Sequence, residues 1–528
     1  MSSYMTGAQA TIAQVAAEGV RVVFGIPGVH TLPLCDAVLE HARLRFLHGR
    51  HEQGIAFMAN GYARACGEIA LSLVITGPGV TNSLTPLADA YLDSVPMVLV
   101  ASQVARERRG RGAFHELKDQ AGVLASVCKW STCVERVEAV PDAIRAAFEQ
   151  AYGGRPGPTA VEIPVDVQSQ EGWVDIHPSA RPERRQAPAD AIREAVQVLA
   201  GAASPLVYVG RGAALSGCTD ELVRLIELLD APCITTPLAR GVIPGRHPLN
   251  ASWGGPRSGG VREFLQGADV VLVVGSSLDE ADAAWAGFDA EKLVQIDICP
   301  EMIGRSYPVS VGLVGDARAV LQQVLAELPP GPLLRRTEMA ARVAEGRERT
   351  LREAEGSLYW PYIEAIQRAL PQDAIVTNDG SQANYRGTVP YLERDLPHTF
   401  QVTRMAAALG FALPAALGAK VAFPERPVVA IAGDGGFLFT AFSLSSAVQH
   451  GLNVAAVVFN NDAYGIIRRL QTERHGREVG AALRNPDFVR LAEASGARGL
   501  RAETPEQLHE MLAAALTHDA PTLIDVPI

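Results

Sequence analysis

The chain has 528 residues, of which 48% are hydrophobic and 20% charged, and carries a net charge of −11. It is too long for one core and ordinary in composition, so about three globular domains are expected and a disordered chain is excluded. The acidic balance excludes a nucleic-acid partner, since phosphate binding needs clustered cations. The one basic run, Arg106-Glu107-Arg108-Arg109-Gly110-Arg111, reads as a solvated loop.

Residues 5–20 read as an amphipathic helix rather than a secretory signal. Short buried-strand patterns at 22–24, 71–75, 97–101 and 160–163 then alternate with helical patterns, the mark of a parallel α/β unit. This first domain is placed at 1–168. Residues 168–190 lose periodicity and read as a linker. A second unit, 187–330, has strands at 205–209, 232–235, 270–274 and 294–297 and closes with a helix at 317–328. Pro329-Pro330-Gly331-Pro332 interrupts the pattern, and 335–355 reads as a helical surface connector. The third unit, 357–528, has strands at 374–377, 428–432, 454–459 and 522–526. The expected fold class is α/β, with three doubly wound parallel-sheet domains and no sequence repeat among them.

The seven cysteines are scattered without a C-x-x-C pair, which reads as reduced thiols in a cytoplasmic protein. No apolar run approaches the roughly 20 residues needed to cross a bilayer, so no membrane association is expected.

Strand 428–432 runs into Gly433-Asp434-Gly435-Gly436, placing a carboxylate at the end of a parallel strand, where open α/β sheets bind ligands. The glycines admit a diphosphate close to the backbone, and a helix at 437–450 would direct its positive end at that anion. Strand 454–459 ends in Asn460-Asn461-Asp462, and Asn461 follows Asp434 by 27 positions, enough for one helix and one strand. Oxygen donors from Asp434 and Asn461, completed by a carbonyl such as that of Ala463, suit Mg²⁺ or Ca²⁺ bridging two phosphates.

The combination of strand, Gly-Asp-Gly, helix, strand and Asn-Asn resembles the thiamine-diphosphate enzymes, most closely the acetolactate synthase and benzoylformate decarboxylase branch, over essentially the whole chain. The resemblance implies a pyrimidine-binding first domain, a central domain and a diphosphate-binding last domain. It makes Glu52 the buried residue that activates the cofactor through its aminopyrimidine ring. It aligns Phe24-Gly25-Ile26-Pro27-Gly28 and Thr76-Gly77-Pro78-Gly79, followed by Asn82, with active-site loops. Residues 88–96 match the family's subunit-contact segment. Leu409 would wedge the cofactor into its bent shape, and Gly380-Ser381-Gln382 would hold the diphosphate opposite Gly433, Asp434, Gly435 and Gly436. Tyr464, Gly465 and Ile466, after Asn461, complete that implied cofactor site. The cofactor would lie between subunits, so a homodimer or homotetramer is expected.

Acetolactate synthases carry Phe-Gln-Glu where this chain has Phe114-His115-Glu116. An imidazole exchanges protons near neutrality, which tilts the expectation toward decarboxylation of a small 2-oxo acid to an aldehyde and CO₂ through a cofactor-bound enamine. His30 is the other candidate proton carrier, and Gly28, Val29, His30, Phe114 and His115 are the expected substrate pocket. The alternative is a carboligase or acyltransferase that joins the enamine to a second carbonyl compound. A silent homologue is disfavoured by intact Asp434, Asn461 and Glu52. The absence of a glutamate in Phe442-Ser443-Leu444-Ser445-Ser446 moves the chain away from acetolactate synthesis. The segment 275–280 lacks the arginine that accompanies FAD in some relatives, which weighs against FAD; Gly210-Arg211-Gly212 follows a strand and could touch a dinucleotide, but such turns usually only cap a strand-to-helix connection. His115-Glu116-x-x-Asp119-Gln120 also resembles a subgroup acting on 2-oxo acids with basic side chains, where Glu116 and Asp119 either meet a cation or are helix-start acids.

Overall fold

The computed structural model describes residues 2–254, 258–279, 287–288, 290–329 and 338–528. The predicted break at 330–332, the start of the connector at 335–337 and Glu280 lie outside these residues.

Three parallel sheets carry the chain. The first has the strands Arg45–His48, Val22–Gly25, Leu71–Val74, Met97–Gln103, Pro158–Pro164 and Trp130–Cys133 side by side in that order. Numbered along the chain within this sheet, the order is 2-1-3-4-6-5. The last sheet runs Phe400–Val402, Ile375–Asn378, Val428–Gly433, Ala455–Asn460, Thr522–Pro527 and Arg498–Arg501, which is 2-1-3-4-6-5 again. The central sheet, Cys233–Thr235, Pro205–Val209, Val270–Val274, Lys292–Asp297 and Val311–Val314, follows 2-1-3-4-5. The first and last units thus share one strand order, and the central sheet matches its first four places, a likeness that the sequences do not display. The strands are buried runs such as Val-Val-Leu-Val-Val at 270–274, as expected for sheets covered by helices on both faces.

Several elements differ from the sequence reading. Residues 5 and 6 belong to a strand, Ser2–Thr6, and the helix is Gly7–Ala17, begun by a reciprocal capping box between Thr6 and Gln9. The predicted linker contains the strand Glu171–Asp175, which pairs antiparallel with Ser2–Thr6 and fastens the end of the first domain to its beginning. Its alternation of exposed and buried residues over only five positions is a weak signal that pairing with a distant strand makes decisive. Val311–Val314, Phe400–Val402 and Arg498–Arg501 are short edge strands of three or four residues, too brief to stand out by pattern. The connector forms the helix Met339–Ala354, but Thr350 and Ala354 are buried, so one face of it is packed rather than solvated.

The first and last domains share one apolar core. The helix Glu52–Cys66 lies against Ala412–Ala422, and a Cβ at Gly418 would sit 1.9 Å from the Met58 carbonyl oxygen, so only glycine permits this backbone approach.

Candidate functional site

In each sheet the strand order reverses between strands 1 and 3, and the loops leaving those two strands diverge to opposite faces, opening a crevice. In the last domain the crevice lies between Ile375–Asn378 and Val428–Gly433, which pair from Ile375 with Val428 to Asn378 with Ile431. Asp434 follows directly and is the first residue of a short helix, Asp434–Leu438. The predicted helix at 437–450 is thus two helices, Asp434–Leu438 and Ser443–Gln449, parted where the Thr440 hydroxyl donates to the Gly410 carbonyl at 2.8 Å. Asp434 is 2% exposed, and its carboxylate accepts from the backbone N–H groups of Gly435 (2.9 Å) and Ala463 (3.2 Å) and from Asn485 Nδ2 (2.8 Å). Burial raises its pKa, and these donors oppose the rise.

Three loops converge here. Gly433 faces the Ser381 side chain. A Cβ at Gly465 would lie 2.7 Å from Asn461 Nδ2 and 3.0 Å from Gln382 Nε2, and one at Gly436 would lie 2.8 Å from an Asp379 oxygen. Asn461 directly follows the strand Ala455–Asn460, next to the one that ends before Asp434, Tyr464 packs its ring against Gly435, and Ile466 is half-buried in the helix Gly465–His475. Ala463 meets Asp434 through its N–H and not through its carbonyl. Gln382 accepts from the Tyr359 hydroxyl at 3.1 Å, Gly380 lies against the Ala407 carbonyl, and half-buried Leu409 reaches toward Gly436. Among the described residues no group of three His, Cys, Asp or Glu side chains gathers, so a cation here would be held by one carboxylate with neutral oxygens, a set suited to Mg²⁺ or Ca²⁺.

The first domain presents a second crevice, between Val22–Gly25 and Leu71–Val74. Gly28 and Thr31 close a turn there, through Thr31 N–H to the Gly28 carbonyl (2.8 Å), leaving Val29 exposed and His30 at the rim. His30 and His115 have ring centroids 5.5 Å apart, and Phe114 stacks on His115 at 3.7 Å. The Nδ1 atoms of both histidines are buried without a hydrogen-bond partner. Burial, and then the neighbouring His115, hold the His30 pKa below its usual value. His115 has a positive φ of 66°, and its carbonyl lies against Gly77. Buried Thr76 donates to Gln120 Oε1 at 2.7 Å. Glu52 opens its helix, and its Oε2 accepts from Asn82 Nδ2 at 2.9 Å. It is half-buried in the single chain, not buried as expected.

Three family models match the chain in order: the N-terminal TPP binding domain of thiamine pyrophosphate enzymes at residues 5–123, their central domain at 192–324 and their C-terminal TPP binding domain at 383–526. The chain belongs to the thiamine pyrophosphate enzymes. Its relatives include the "probable 2-ketoarginine decarboxylase AruI" of Pseudomonas aeruginosa, 35% identical over 99% of this chain and 94% of the relative. The "probable acetolactate synthase large subunit" of Methanocaldococcus jannaschii is 31% identical over 99% of this chain and 92% of its own. The "acetolactate synthase isozyme 3 large subunit" of Escherichia coli is 34% identical over 97% of this chain and 92% of its own.

Thiamine diphosphate, the cofactor of this thiamine pyrophosphate family, fits the residues present. The glycines around Asp434 let Ser381, Tyr464, Asp379, Asn461 and Gln382 come close to the backbone, and the oxygen donors gathered there match the cation that a diphosphate requires. Two neighbours of this site escaped the sequence reading. Asn485 joins Asp434 to Asn460, and Asp379, wholly buried, accepts from the N–H groups of Gly410 (3.2 Å) and Ala412 (2.7 Å), fixing the segment that carries Leu409. An Asp-Gly at the end of strand 374–377 was the available signal for Asp379; for Asn485, 51 positions from Asp434, there was none.

Other candidates resolve simply. Asp119 caps the helix Gln120–Ala125, and Glu116 accepts from the N–H groups of Gly110 and Ala113, so both carboxylates serve their own backbone. In the basic run, Arg106 pairs with Asp166 and Arg109 with Glu135. The central domain's crevice opens on a cavity of about 540 Å³ whose lining includes Arg155, Arg184, Arg211, Arg318 and Asp297. Burial, then nearby Arg64, pushes the Arg211 guanidinium down to about 9. These arginines come from separate segments, and the acids Asp93, Glu183 and Asp316 share the lining, with Arg184 paired to Asp316. Among the described residues no helix is long and apolar enough to cross a membrane.

Proposed function

We propose that this enzyme is a thiamine-diphosphate- and Mg²⁺-dependent decarboxylase of a 2-oxo acid, releasing CO₂ and an aldehyde, and that it works as a homodimer or homotetramer. The observation that carries the reading is the pair His30 and His115, two imidazoles beside the Thr76–Gly77 turn with buried, unpartnered Nδ1 atoms. Thiamine diphosphate, when bound, supplies a nucleophilic carbon and an electron sink for the pair of electrons left by departing CO₂. Asp434, Asn461 and a backbone carbonyl would hold the cation, and Gly380, Ser381 and Gln382 would hold the diphosphate. Leu409 would support the cofactor from beneath. Glu52, oriented by Asn82, would hydrogen-bond the aminopyrimidine and favour its activated form.

His30, whose pKa is depressed, is neutral at pH 7 and so can accept a proton or a hydrogen bond from the substrate. His115 lies beside it and can deliver a proton to the product carbon. Exposed Phe114 and Val29 form the apolar rim through which substrate enters. No flavin is part of the reading, and the absence of a flavin absorbance band in purified protein is the check.

The test is CO₂ release from aliphatic, aromatic, acidic and guanidino 2-oxo acids with Mg²⁺ and thiamine diphosphate, with products identified by mass. The guanidino acid is included because the Pseudomonas aeruginosa relative carries 2-ketoarginine in its name. An aldehyde one carbon shorter than one of the acids is expected. A larger hydroxyketone, or no CO₂ from any acid, replaces this reading with the carboligase or acyltransferase.

A further inference from the structure

Behind the Thr76–Gly77 turn lies a chain of hydrogen bonds that ends on a carboxylate. Glu162, 1% exposed on the strand Pro158–Pro164, accepts through Oε2 from Gln103 Nε2 (2.7 Å) and Gln120 Nε2 (2.8 Å). Gln120 turns its carbonyl oxygen the other way, accepting from the Thr76 hydroxyl (2.7 Å) and the Gly77 N–H (2.9 Å). Gln120 Nε2 also reaches the Ser102 carbonyl at 3.0 Å, and the Ser102 hydroxyl donates to the His30 carbonyl at 2.7 Å. Gly77, held from behind, is the surface against which the His115 carbonyl rests. One network therefore supports both histidine loops.

The chemistry of its end group matters. A glutamine amide can turn over at almost no steric cost, exchanging its acceptor for its donor face. An ionised carboxylate only accepts, so Glu162 forces both amide nitrogens toward itself and the Gln120 oxygen toward Thr76 and Gly77. With an apolar residue at 162, the Gln120 NH₂ keeps only the Ser102 carbonyl as acceptor, so the amide that holds Thr76 and Gly77 loses one of the two contacts that fix it. Among the described residues no salt bridge reaches Glu162, whose Oε1 is buried without a hydrogen-bond partner. Burial raises its carboxyl pKa, and the Gln120 and Gln103 amides, then the charge of Arg109, oppose the rise.

We propose that Glu162 is a positioning residue, which acts through Gln120 to set the Thr76–Gly77 turn and, with it, the spacing of His30 and His115. The proposal rests on the reading of those histidines as substrate-facing.

The test compares Glu162→Met, Glu162→Gln and Gln120→Met with the wild-type protein. Expected for a folded Glu162→Met is a kcat lowered about 100-fold, with KM, thiamine diphosphate affinity and melting temperature near wild type. Modification of His30 and His115 by diethyl pyrocarbonate, followed by peptide mass in the cofactor-free protein, should be faster than in wild type. Glu162→Gln, which keeps an acceptor oxygen, should restore both turnover and slow modification. A folded Glu162→Met with wild-type kcat and wild-type histidine reactivity overturns the proposal, as does a Glu162→Gln that fails to restore either. If Glu162→Met does not fold, Gln120→Met carries the same expectation and the same refutation. If the wild-type protein decarboxylates nothing, the functional reading fails by itself and the histidine modification rates still decide whether Glu162 positions them.

Discussion

Glu52 illustrates how one side chain acquires a role from its surroundings. As the first residue of a helix it is, apart from the family resemblance, an ordinary acid favoured by the helix dipole. Its hydrogen bond with Asn82 orients the carboxylate at the rim of a crevice. Replacing it by Gln is expected to nearly abolish turnover while leaving Mg²⁺-dependent thiamine diphosphate binding in place, measured by calorimetry beside a steady-state assay; unchanged turnover would remove the assignment. Asp379 carries a different expectation. Burial pushes its carboxyl up to about 7, partly offset by the N–H groups of Ala412 and Gly410. A folded-state pKa above the unfolded value contributes stability that is present below the unfolded pKa and lost as pH rises through about 7. The full swing is on the order of 4 kcal/mol. In cofactor-free protein the stability advantage of wild type over Asp379→Asn should therefore shrink between pH 4 and pH 8, as read by urea denaturation. His30 runs the other way, because its lowered pKa gives stability that is present above about 6.5 and lost as pH falls.

Among the elements, the pair Glu52–Cys66 and Ala412–Ala422 has the most consequence, since it ties the first domain to the last within one chain. Arg64, on the first helix, is buried and bonded to Asp89 and Asp93 at 2.8 Å each, and it also donates to the Val402 carbonyl of the last domain at 3.1 Å. Asp89 in turn accepts from Thr403, and Asp93 from the Arg404 N–H. Removing the cation strands two buried carboxylates, so Arg64→Met should cost about 3–5 kcal/mol, visible as a large drop in melting temperature. A drop no larger than that of an exposed arginine variant would show that the two aspartates are neutral in the fold. The long strands of each sheet were legible because buried parallel strands are continuous apolar runs. The division of the helix after Asp434, and the strand Glu171–Asp175, were not, because each depends on a contact with residues far away in sequence.

At the scale of the molecule, the first and last sheets repeat one strand order, and each exposes a crevice at the same point of its topology. Half-buried Glu52 and exposed Phe114, Val29 and Leu32 lie at the edge of the first crevice. A large apolar edge beside a half-buried carboxylate calls for a covering partner. Active protein should therefore have at least the mass of a dimer by light scattering, with turnover per chain falling on dilution below the dissociation constant. Full activity from a monomer would refute this arrangement.

The sequence by itself determined the α/β class and, through its resemblance, the family, and it singled out Asp434 and Asn461 by local signals, a strand running into Gly-Asp-Gly and the next into Asn-Asn, whereas Glu52 was singled out by the resemblance alone. Only the tertiary structure decided that His30 meets His115, that Asn485 braces Asp434 and Asp379 the segment carrying Leu409, that arginines from separate segments line the central cavity, and that Glu162 stands behind Thr76. Each of those contacts joins separate segments, and their partners are chosen by the packing of sheets and helices, which a linear pattern does not encode.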